Sequence, residues 1–112
     1  MAVLGLERIE VLRKWRELAK AVVSACSKVV EVREAYVFGS VLKDKVSGSS
    51  DLDIIVVVPD GVDVAEVKMR IAEILERELG HLAMLVDPHI TNTSNACKPP
   101  YSWFIKEGTK IS

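Results

Sequence analysis

The stretch that decides the fold is FGSVLKDKVSGSSDLDIIVVV, which runs from Phe38 to Val58. Its first residues complete a predicted short strand, Ala35 to Phe38, and Gly39 and Ser40 then fall where that strand gives way to a helix. Such a turn presents free backbone N–H groups that suit a phosphate, and glycine lets the phosphate approach the backbone closely. We therefore expect this turn to bind phosphate.

Two carboxylates follow at the start of the apolar run Ile54 to Val58. Asp51 and Asp53 are two residues apart on a predicted strand, so both side chains leave the strand by the same face. A pair of carboxylates held in this way provides the oxygen ligands that Mg²⁺ prefers. The sequence therefore predicts a magnesium site beside the phosphate turn.

These motifs together resemble the nucleotidyltransferase superfamily of DNA polymerase beta, whose signature is a Gly-Ser pair, a spacer and an Asp-x-Asp at the start of a strand. The matching residues are Gly39-Ser40 and Asp51-x-Asp53. The segment VFGSVLKDKVSGSSDLDIIVVV and the small size of the chain are most similar to the minimal nucleotidyltransferase branch, a group of stand-alone catalytic domains. The resemblance implies an α/β fold with a mixed sheet.

The family also places a third carboxylate on the next core strand. Asp87 stands at the position expected for it, at the end of a predicted strand from Leu82 to Asp87. The chain departs from the branch after the serine, where members often carry a basic residue and a glycine. Here Lys43 is followed by Asp44.

The resemblance implies a reaction and assigns residues to it. The reaction is Mg²⁺-dependent transfer of a nucleoside monophosphate, with AMP from ATP as the expected case, to an acceptor hydroxyl with release of pyrophosphate. The implied catalytic residues, which also ligate two Mg²⁺ ions, are Asp51, Asp53 and Asp87. The implied nucleotide-binding residues are Gly39 and Ser40. Lys43, close to the same turn, is a further candidate for nucleotide binding, and its alternative role is that of a solubilising lysine on a short exposed helix.

Two other functions compete with this interpretation. The minimal nucleotidyltransferases, which this chain resembles, are often paired with a small helical HEPN-domain protein, sometimes as toxin and antitoxin. Such a partner is a candidate acceptor, but the chain could also be a non-catalytic module that neutralises it by docking. A receiver-like phosphoacceptor domain gathers aspartates around Mg²⁺ too, yet it begins with a strand, whereas this chain begins with a predicted helix. Three aspartates in the right order and spacing favour catalysis.

The rest of the chain predicts helices that flank the strands. Apolar residues at helical spacing predict a long amphipathic helix with Trp15 in the core. Asp63 is suited to cap a later helix, with Glu66 three residues on, and Gly80 to end it. The four predicted helices are Leu6 to Val30, Val41 to Lys45, the helix between Asp63 and Gly80, and one from Pro99-Pro100 through Lys106 that ends at Gly108. The segment 47–50 is predicted to be a loop.

Length and composition limit the remaining possibilities. A chain of 112 residues with 49% hydrophobic content suits one domain, residues 1–112, with one core. The net charge of −1 without a basic stripe makes nucleic acid a poor first choice of substrate. The apolar run Ile54 to Val58, which no other run exceeds in length, is too short to span a bilayer, so no membrane association and a cytoplasmic location are expected. Monomer and homo-oligomer both stay open.

Cysteine and histidine give no second site in the sequence. Cys26 and Cys97 lack metal-ligand spacing with His81 or His89, and we expect two reduced thiols. His81 is expected at a helix end. His89 stands two residues past Asp87, where it faces either the site or solvent, and it is given no catalytic role.

Overall fold

The structure, a computed structural model, describes residues 10–43 and 51–112. Residues 10–13 are helical and precede a turn at Lys14. The elements that follow are α1 (Trp15–Cys26), β1 (Glu34–Phe38), a 3-10 turn (Ser40–Lys43), β2 (Leu52–Val58), α2 (Val64–Leu79), a second 3-10 turn (Gly80–Leu85), β3 (Val86–Asn92), α3 (Thr93–Ala96), α4 (Tyr101–Glu107) and β4 (Thr109–Lys110). None of the helices in these two ranges combines the length and the apolar character needed to cross a lipid bilayer.

The four strands form one mixed sheet in the order β3-β2-β1-β4. β1 runs antiparallel to both β2 and β4, and β2 runs parallel to β3. The end of β1 therefore lies beside the starts of β2 and β3, so the residues at these three points are brought to one edge of the sheet. The predicted α/β fold with a mixed sheet is confirmed.

The core lies between one face of this sheet and the helices α1 and α2. Trp15 is buried there, as predicted. The buried side chains that form this core from the central strand and the two helices include Leu52, Ile54, Val56, Val58, Leu18, Val22, Val67, Ile71 and Leu75. Each such side chain stabilises the fold by roughly 1.5–3 kcal/mol relative to exposure.

The opposite face of β2 is covered as well. Ile55 and Val57 are buried although they point away from α1 and α2. The short helices α3 and α4 pack over this side, α3 against β2 and β3 and α4 against β1. The rings of Phe38 and Phe104 stack there with centroids 4.6 Å apart. Burial on both faces explains why β2 is an almost continuous apolar run.

The start and end of α2 follow the predicted capping signals. The Asp63 carboxylate accepts a hydrogen bond from the backbone N–H of Glu66 at 3.2 Å. A cap of this kind stabilises a helix by about 1 kcal/mol. The helix ends before Gly80, whose φ of 59° lies in the left-handed region.

The predicted bounds of the first two helices differ from the structure. α1 ends at Cys26 instead of Val30, because the N–H groups of residues 28 and 29 bond three residues back, which tightens the chain into turns before β1. Val29 and Val30 still pack against the core, which explains why they continue the apolar period. The predicted helix over Val41 to Lys45 is a 3-10 turn over Ser40–Lys43. Leu6, Asp44, Lys45 and the loop at 47–50 lie outside the described residues.

The predicted strand from Leu82 to Asp87 is wrong. Its apolar residues lie in the second 3-10 turn, and the strand begins only at Val86 and continues through Asn92. A short apolar run buries its side chains equally well in either conformation, as Leu85 does here with no exposed surface. Pro88 is tolerated because β3 is an edge strand. Asp87 therefore lies at the start of β3 and not at a strand end.

The C-terminal segment contains two elements that the sequence did not predict. α4 covers Tyr101–Glu107, close to the predicted helix, and ends at Gly108 as expected. α3 and β4 are new, and they have only four and two residues. Elements of that length contain too little periodicity to be recognised in a sequence.

Candidate active site

Three chain segments converge at one edge of the sheet, next to the end of β1. Phe38, the last residue of β1, pairs with Asp53 in the antiparallel ladder. Asp53 pairs on its other side with Asp87 in the parallel ladder. Because paired residues on neighbouring strands point to the same face, this register places an aromatic ring and a carboxylate on either side of Asp53.

A cluster of three possible ligands forms at this edge, made of Asp53, Asp87 and His89. One ligand atom from each lies within 4.8 Å of the others. Among the described residues, this is the group of His, Cys, Asp or Glu side chains that could hold a metal ion. The Nε2 atom of His89 is 3.4 Å from Oδ2 of Asp87 and 3.7 Å from Oδ1 of Asp53. Carboxylate and imidazole are both ligands for divalent cations. We call these three residues the donor cluster.

Asp51 lies next to the donor cluster but outside it. It is half-buried and stands two residues before Asp53, directly ahead of the first residue of β2. Its negative charge contributes to the raised pKa of Asp53, which places it within electrostatic range. Of the three aspartates singled out by sequence, the structure thus brings Asp53 and Asp87 into one ligand group and leaves Asp51 beside them.

The two clustered carboxylates have different surroundings. The Asp53 side chain is 27% exposed, whereas that of Asp87 is 55% exposed. Burial is the main reason that the pKa of Asp53 is raised, and the neighbouring charge of Asp87 raises it further, while His89 acts in the opposite direction. The charged form of Asp53 is therefore disfavoured in the protein alone, and a bound cation would relieve that penalty.

Gly39 brings the phosphate turn directly against this carboxylate. Its φ is +90°, a conformation that residues with a Cβ adopt only under strain. A Cβ at this position would lie 2.6 Å from Oδ2 of Asp53. The carbonyl of Gly39 accepts a hydrogen bond from the N–H of Leu42 at 3.2 Å, which starts the 3-10 turn. The close approach of turn and carboxylate thus depends on glycine.

The other two residues predicted to bind nucleotide are located only by their backbone. Ser40 and Lys43 are the first and last residues of the 3-10 turn that follows Gly39. Their side chains lie outside the part of the structure that is described. Their contacts with a nucleotide stay a prediction.

His89 is the site residue that the sequence left without a role. Its signal was the spacing Asp87-x-His89, because residues two apart on a strand share a face. A strand that is predicted to end at Asp87 leaves His89 beyond it, so the predicted bounds do not place the two residues on one face. The ring of His89 also lies against that of Phe38, with centroids 5.4 Å apart at a tilt of 55°.

Two cavities differ in their position relative to the residues of the candidate active site. A cavity of about 350 Å³ lies beside Gly39 and is lined also by Phe38, Leu42, Phe104 and Glu107. A larger groove of about 650 Å³ lies between α2, the second 3-10 turn and β3, and it contains no member of the donor cluster. No member of the donor cluster lines the smaller cavity either, but Gly39, which approaches Oδ2 of Asp53, and Phe38, whose ring lies against that of His89, both do. The smaller cavity therefore belongs to the candidate active site.

Comparison with known proteins identifies the family. Residues 20–99, more than half of the chain, match the family described as polymerase beta nucleotidyltransferase. The chain belongs to this family. A crystal structure of a Sulfolobus solfataricus protein that was proposed to be a nucleotidyltransferase is similar, with a TM-score of 0.62 and 19% identity over 92% of this chain and 84% of that one. At this identity the likeness concerns the fold. No curated protein matches the chain.

Membership of the polymerase beta nucleotidyltransferase family gives the general function, which is nucleotidyl transfer. It also implies a nucleoside triphosphate and a divalent metal. The residues present fit such a metal, because two carboxylates and an imidazole nitrogen converge within 4.8 Å and Asp53 is partly removed from water. The expected resemblance to the minimal nucleotidyltransferases of this superfamily is confirmed.

Proposed function

We propose that the protein transfers AMP from ATP to a hydroxyl group of an acceptor, with release of pyrophosphate and with Mg²⁺ bound at Asp51, Asp53 and Asp87. The observation that carries this proposal is the contact between Gly39 and Asp53, in which a Cβ would lie 2.6 Å from the carboxylate. A turn suited to phosphate and a cluster suited to a cation thus form one continuous site. A triphosphate substrate and its metal cofactor need such a shared site, because the metal ions bridge the phosphate oxygens.

The carboxylates hold the metal, and the backbone around Gly39 holds the outer phosphates. When bound, the metal ions would neutralise charge on the triphosphate and stabilise the entering and leaving oxygens. Asp53 lies between the Gly39 turn and the other two residues of the donor cluster. Its carboxylate is therefore suited to fix how far a bound phosphate lies from a bound metal ion. The cavity beside Gly39, at about 350 Å³, is within the range of small-ligand sites, roughly 300–1,000 Å³, and its aromatic lining suits part of the nucleoside.

Asp87 is suited to accept the proton of the acceptor. The acceptor oxygen attacks the α-phosphorus, a new P–O bond forms, and the bond from that phosphorus to the bridging oxygen of pyrophosphate breaks. The hydroxyl proton passes to the Asp87 carboxylate and then to solvent. Asp87 is better suited than Asp53 to be the proton acceptor, because its side chain is 55% exposed and can meet an acceptor that enters from water.

The proposed acceptor is a hydroxyl side chain on a partner protein of the HEPN type, as the resemblance to minimal nucleotidyltransferases implies. The net charge of −1 gives no preference for a polyanionic acceptor. A protein acceptor also suits an open edge of a sheet, where a loop of another chain can approach Asp87. Docking without transfer is the competing function of the same pairing.

The test is incubation of the protein with Mg²⁺, a HEPN-domain protein and ATP labelled on either the α- or the γ-phosphate. Nucleotidyl transfer labels the partner from the α-phosphate alone, whereas phosphoryl transfer labels it from the γ-phosphate. Asp53→Asn is the inactive control, and Asp63→Asn, which alters a carboxylate at the cap of α2, is the matched control that should keep activity. A stable complex with no transferred label would support the docking function instead.

A further inference from the structure

His89 has an unusual environment for a polar atom. Its Nε2 is buried and makes no hydrogen bond within the described residues, although it lies 3.4 and 3.7 Å from the oxygens of Asp87 and Asp53. These separations exceed the ordinary N–H···O distance of about 2.7–3.2 Å. Buried polar atoms nearly always have a partner, and here two carboxylates lie within ion-pair range of Nε2 but not in hydrogen-bond geometry, an arrangement that a shared cation would complete.

The spacing of the three atoms fits a common metal ion. Ligands bound at about 2.0–2.2 Å around one cation lie roughly 3.0–3.5 Å from one another. The distances from His89 Nε2 to its two neighbours are at or just above that range, and all three ligand atoms lie within 4.8 Å of one another, so a contraction of the cluster would bring them onto one ion. The imidazole ring is held in place on one side by the ring of Phe38.

We propose that His89 is a ligand of the metal centre and raises its affinity for imidazole-binding divalent metals relative to Mg²⁺, an effect for which Mn²⁺ serves as the spectroscopic probe. This inference rests on the proposed function, because it concerns the same metal site. Mg²⁺ prefers oxygen ligands and retains its water, whereas imidazole nitrogen favours the later divalent metals. A site of three carboxylates alone would lack this source of preference.

The competing role for His89 is that of a protonated counter-ion, which occupies the place of the metal between Asp53 and Asp87. The two roles predict opposite results when the ring is removed. Loss of a ligand weakens binding of Mn²⁺, whereas loss of a competing positive charge strengthens binding of every divalent cation. The sign of the change in affinity therefore distinguishes them.

The experiment measures metal binding by the intact, chelator-treated protein without nucleotide. Calorimetry gives the affinities for Mn²⁺ and Mg²⁺ separately, and pulsed EPR of bound Mn²⁺ detects a coordinated imidazole through its ¹⁴N coupling. For His89→Gln we expect the Mn²⁺ affinity to fall by at least about tenfold, with a change of less than about threefold for Mg²⁺ and loss of the nitrogen signal. His81→Gln removes the other of the two histidines and should change neither quantity.

Two outcomes would overturn the assignment. Tighter binding of both metals by His89→Gln would identify a counter-ion, and a parent protein without nitrogen coupling would exclude a bound imidazole. The second measurement needs no variant at His89, so it stands even if His89→Gln does not fold. Failure of the proposed function is separate, because a protein can show nitrogen coupling to Mn²⁺ and still transfer no label from ATP.

Discussion

Asp53 and Asp87 are partners in the parallel ladder, and each is the second residue of its strand. Neighbouring strands lie about 4.8 Å apart, so the backbone itself holds the two carboxylates at close range. At ~5 Å and an effective dielectric constant of ~20, two like charges repel by about 3 kcal/mol, and the exposure of Asp87 to solvent lowers that figure. Two carboxylates held this close repel each other when no cation is bound, and a divalent cation between them would offset that repulsion.

Binding of ATP should therefore depend on Mg²⁺. The triphosphate and the clustered carboxylates are all anionic, and without a cation they repel one another across the short distance between Gly39 and Asp53. We expect ATP affinity to be at least about tenfold higher with Mg²⁺ than with a chelator, a difference of roughly 1.4 kcal/mol. Calorimetry in both conditions measures it. Equal affinity in the two conditions, or no binding in either, would contradict the site.

Asp53→Asn should raise the melting temperature of the metal-free protein while it abolishes transfer. The substitution removes a carboxylate whose pKa is raised by burial and by Asp87, and it removes a metal ligand at the same time. A gain of 1 kcal/mol would raise the melting temperature by about 4–8 °C in a domain of this size. Thermal unfolding followed by circular dichroism, with and without Mg²⁺, measures the effect.

The gain from Asp53→Asn should also depend on pH. Because the pKa of Asp53 is higher in the folded protein, the folded state binds more protons, and stability is lost as pH rises from about 3.9 through the raised pKa. The ionisable groups that face Asp53 are Asp51, Asp87 and His89. The difference between variant and parent should thus be absent below about pH 4 and fullest at neutral pH. A lower melting temperature for the variant would instead make Asp53 a structural hydrogen-bonding residue.

Asp60→Asn provides a control of opposite sign. The Asp60 carboxylate accepts hydrogen bonds from the backbone N–H and the hydroxyl of Ser94, at 3.0 and 2.6 Å. These bonds hold the pKa of Asp60 below its usual value, so its contribution to stability is present at neutral pH and is lost as pH falls through the lowered pKa. Asp60→Asn should therefore lower the melting temperature at neutral pH and leave transfer intact.

Gly39→Ala should weaken metal and nucleotide binding more than it weakens the fold. The new Cβ would meet Oδ2 of Asp53 at 2.6 Å, and the carboxylate can rotate away at small cost but leaves the donor cluster when it does. Gly61→Ala is the matched control, since Gly61 has nearly the same φ, +88°, and its would-be Cβ meets nothing within 4 Å in the described part of the chain beyond the adjoining residues. Both variants should lose about 1–2 kcal/mol of stability from backbone strain.

The two glycine variants are compared by Mg²⁺ titration and thermal melting. Only Gly39→Ala should lose Mg²⁺ affinity, by about tenfold or more, because only there does the methyl group displace a ligand. Equal Mg²⁺ affinity in Gly39→Ala and Gly61→Ala would mean that the turn does not control the position of Asp53.

The sequence was sufficient to predict the central part of this fold because local chemistry determines it. The apolar run after Asp53, the Asp63 cap of α2 and the stop at Gly80 are each specified by neighbouring residues, and all three are found in the structure. The mixed sheet and the family came from the order and spacing of Gly39-Ser40 and Asp51-x-Asp53.

What the sequence missed depends on contacts between distant segments. The run before Asp87 had the composition of a strand but lies in a 3-10 turn, because the ladder with β2 begins only at Val86. The neighbourhood of His89 follows from that register and from the ring of Phe38, which is some fifty residues away in the chain. Neither is encoded in a local pattern, so the donor cluster had to be seen in the structure.

Asp87→Asn should separate binding of the nucleotide from transfer. Asp87 lies on β3, whereas Asp53 lies on β2 and Asp51 directly precedes that strand. The greater exposure of Asp87 than of Asp53 suits it to meet the acceptor instead of the triphosphate. We expect the variant to keep much of the Mg²⁺-dependent ATP affinity but to lose transfer by roughly 10²- to 10⁴-fold, the usual effect of removing a general base, or by more if a metal ion is lost too.

Asp53→Asn, measured alongside, should lose both. Because ATP affinity and transfer rate are read on the same preparation, misfolding would be recognised by loss of binding. A variant at Asp87 that transfers label at nearly the parent rate would leave this carboxylate a solvated residue at the start of β3, and the proton acceptor would then have to be another group.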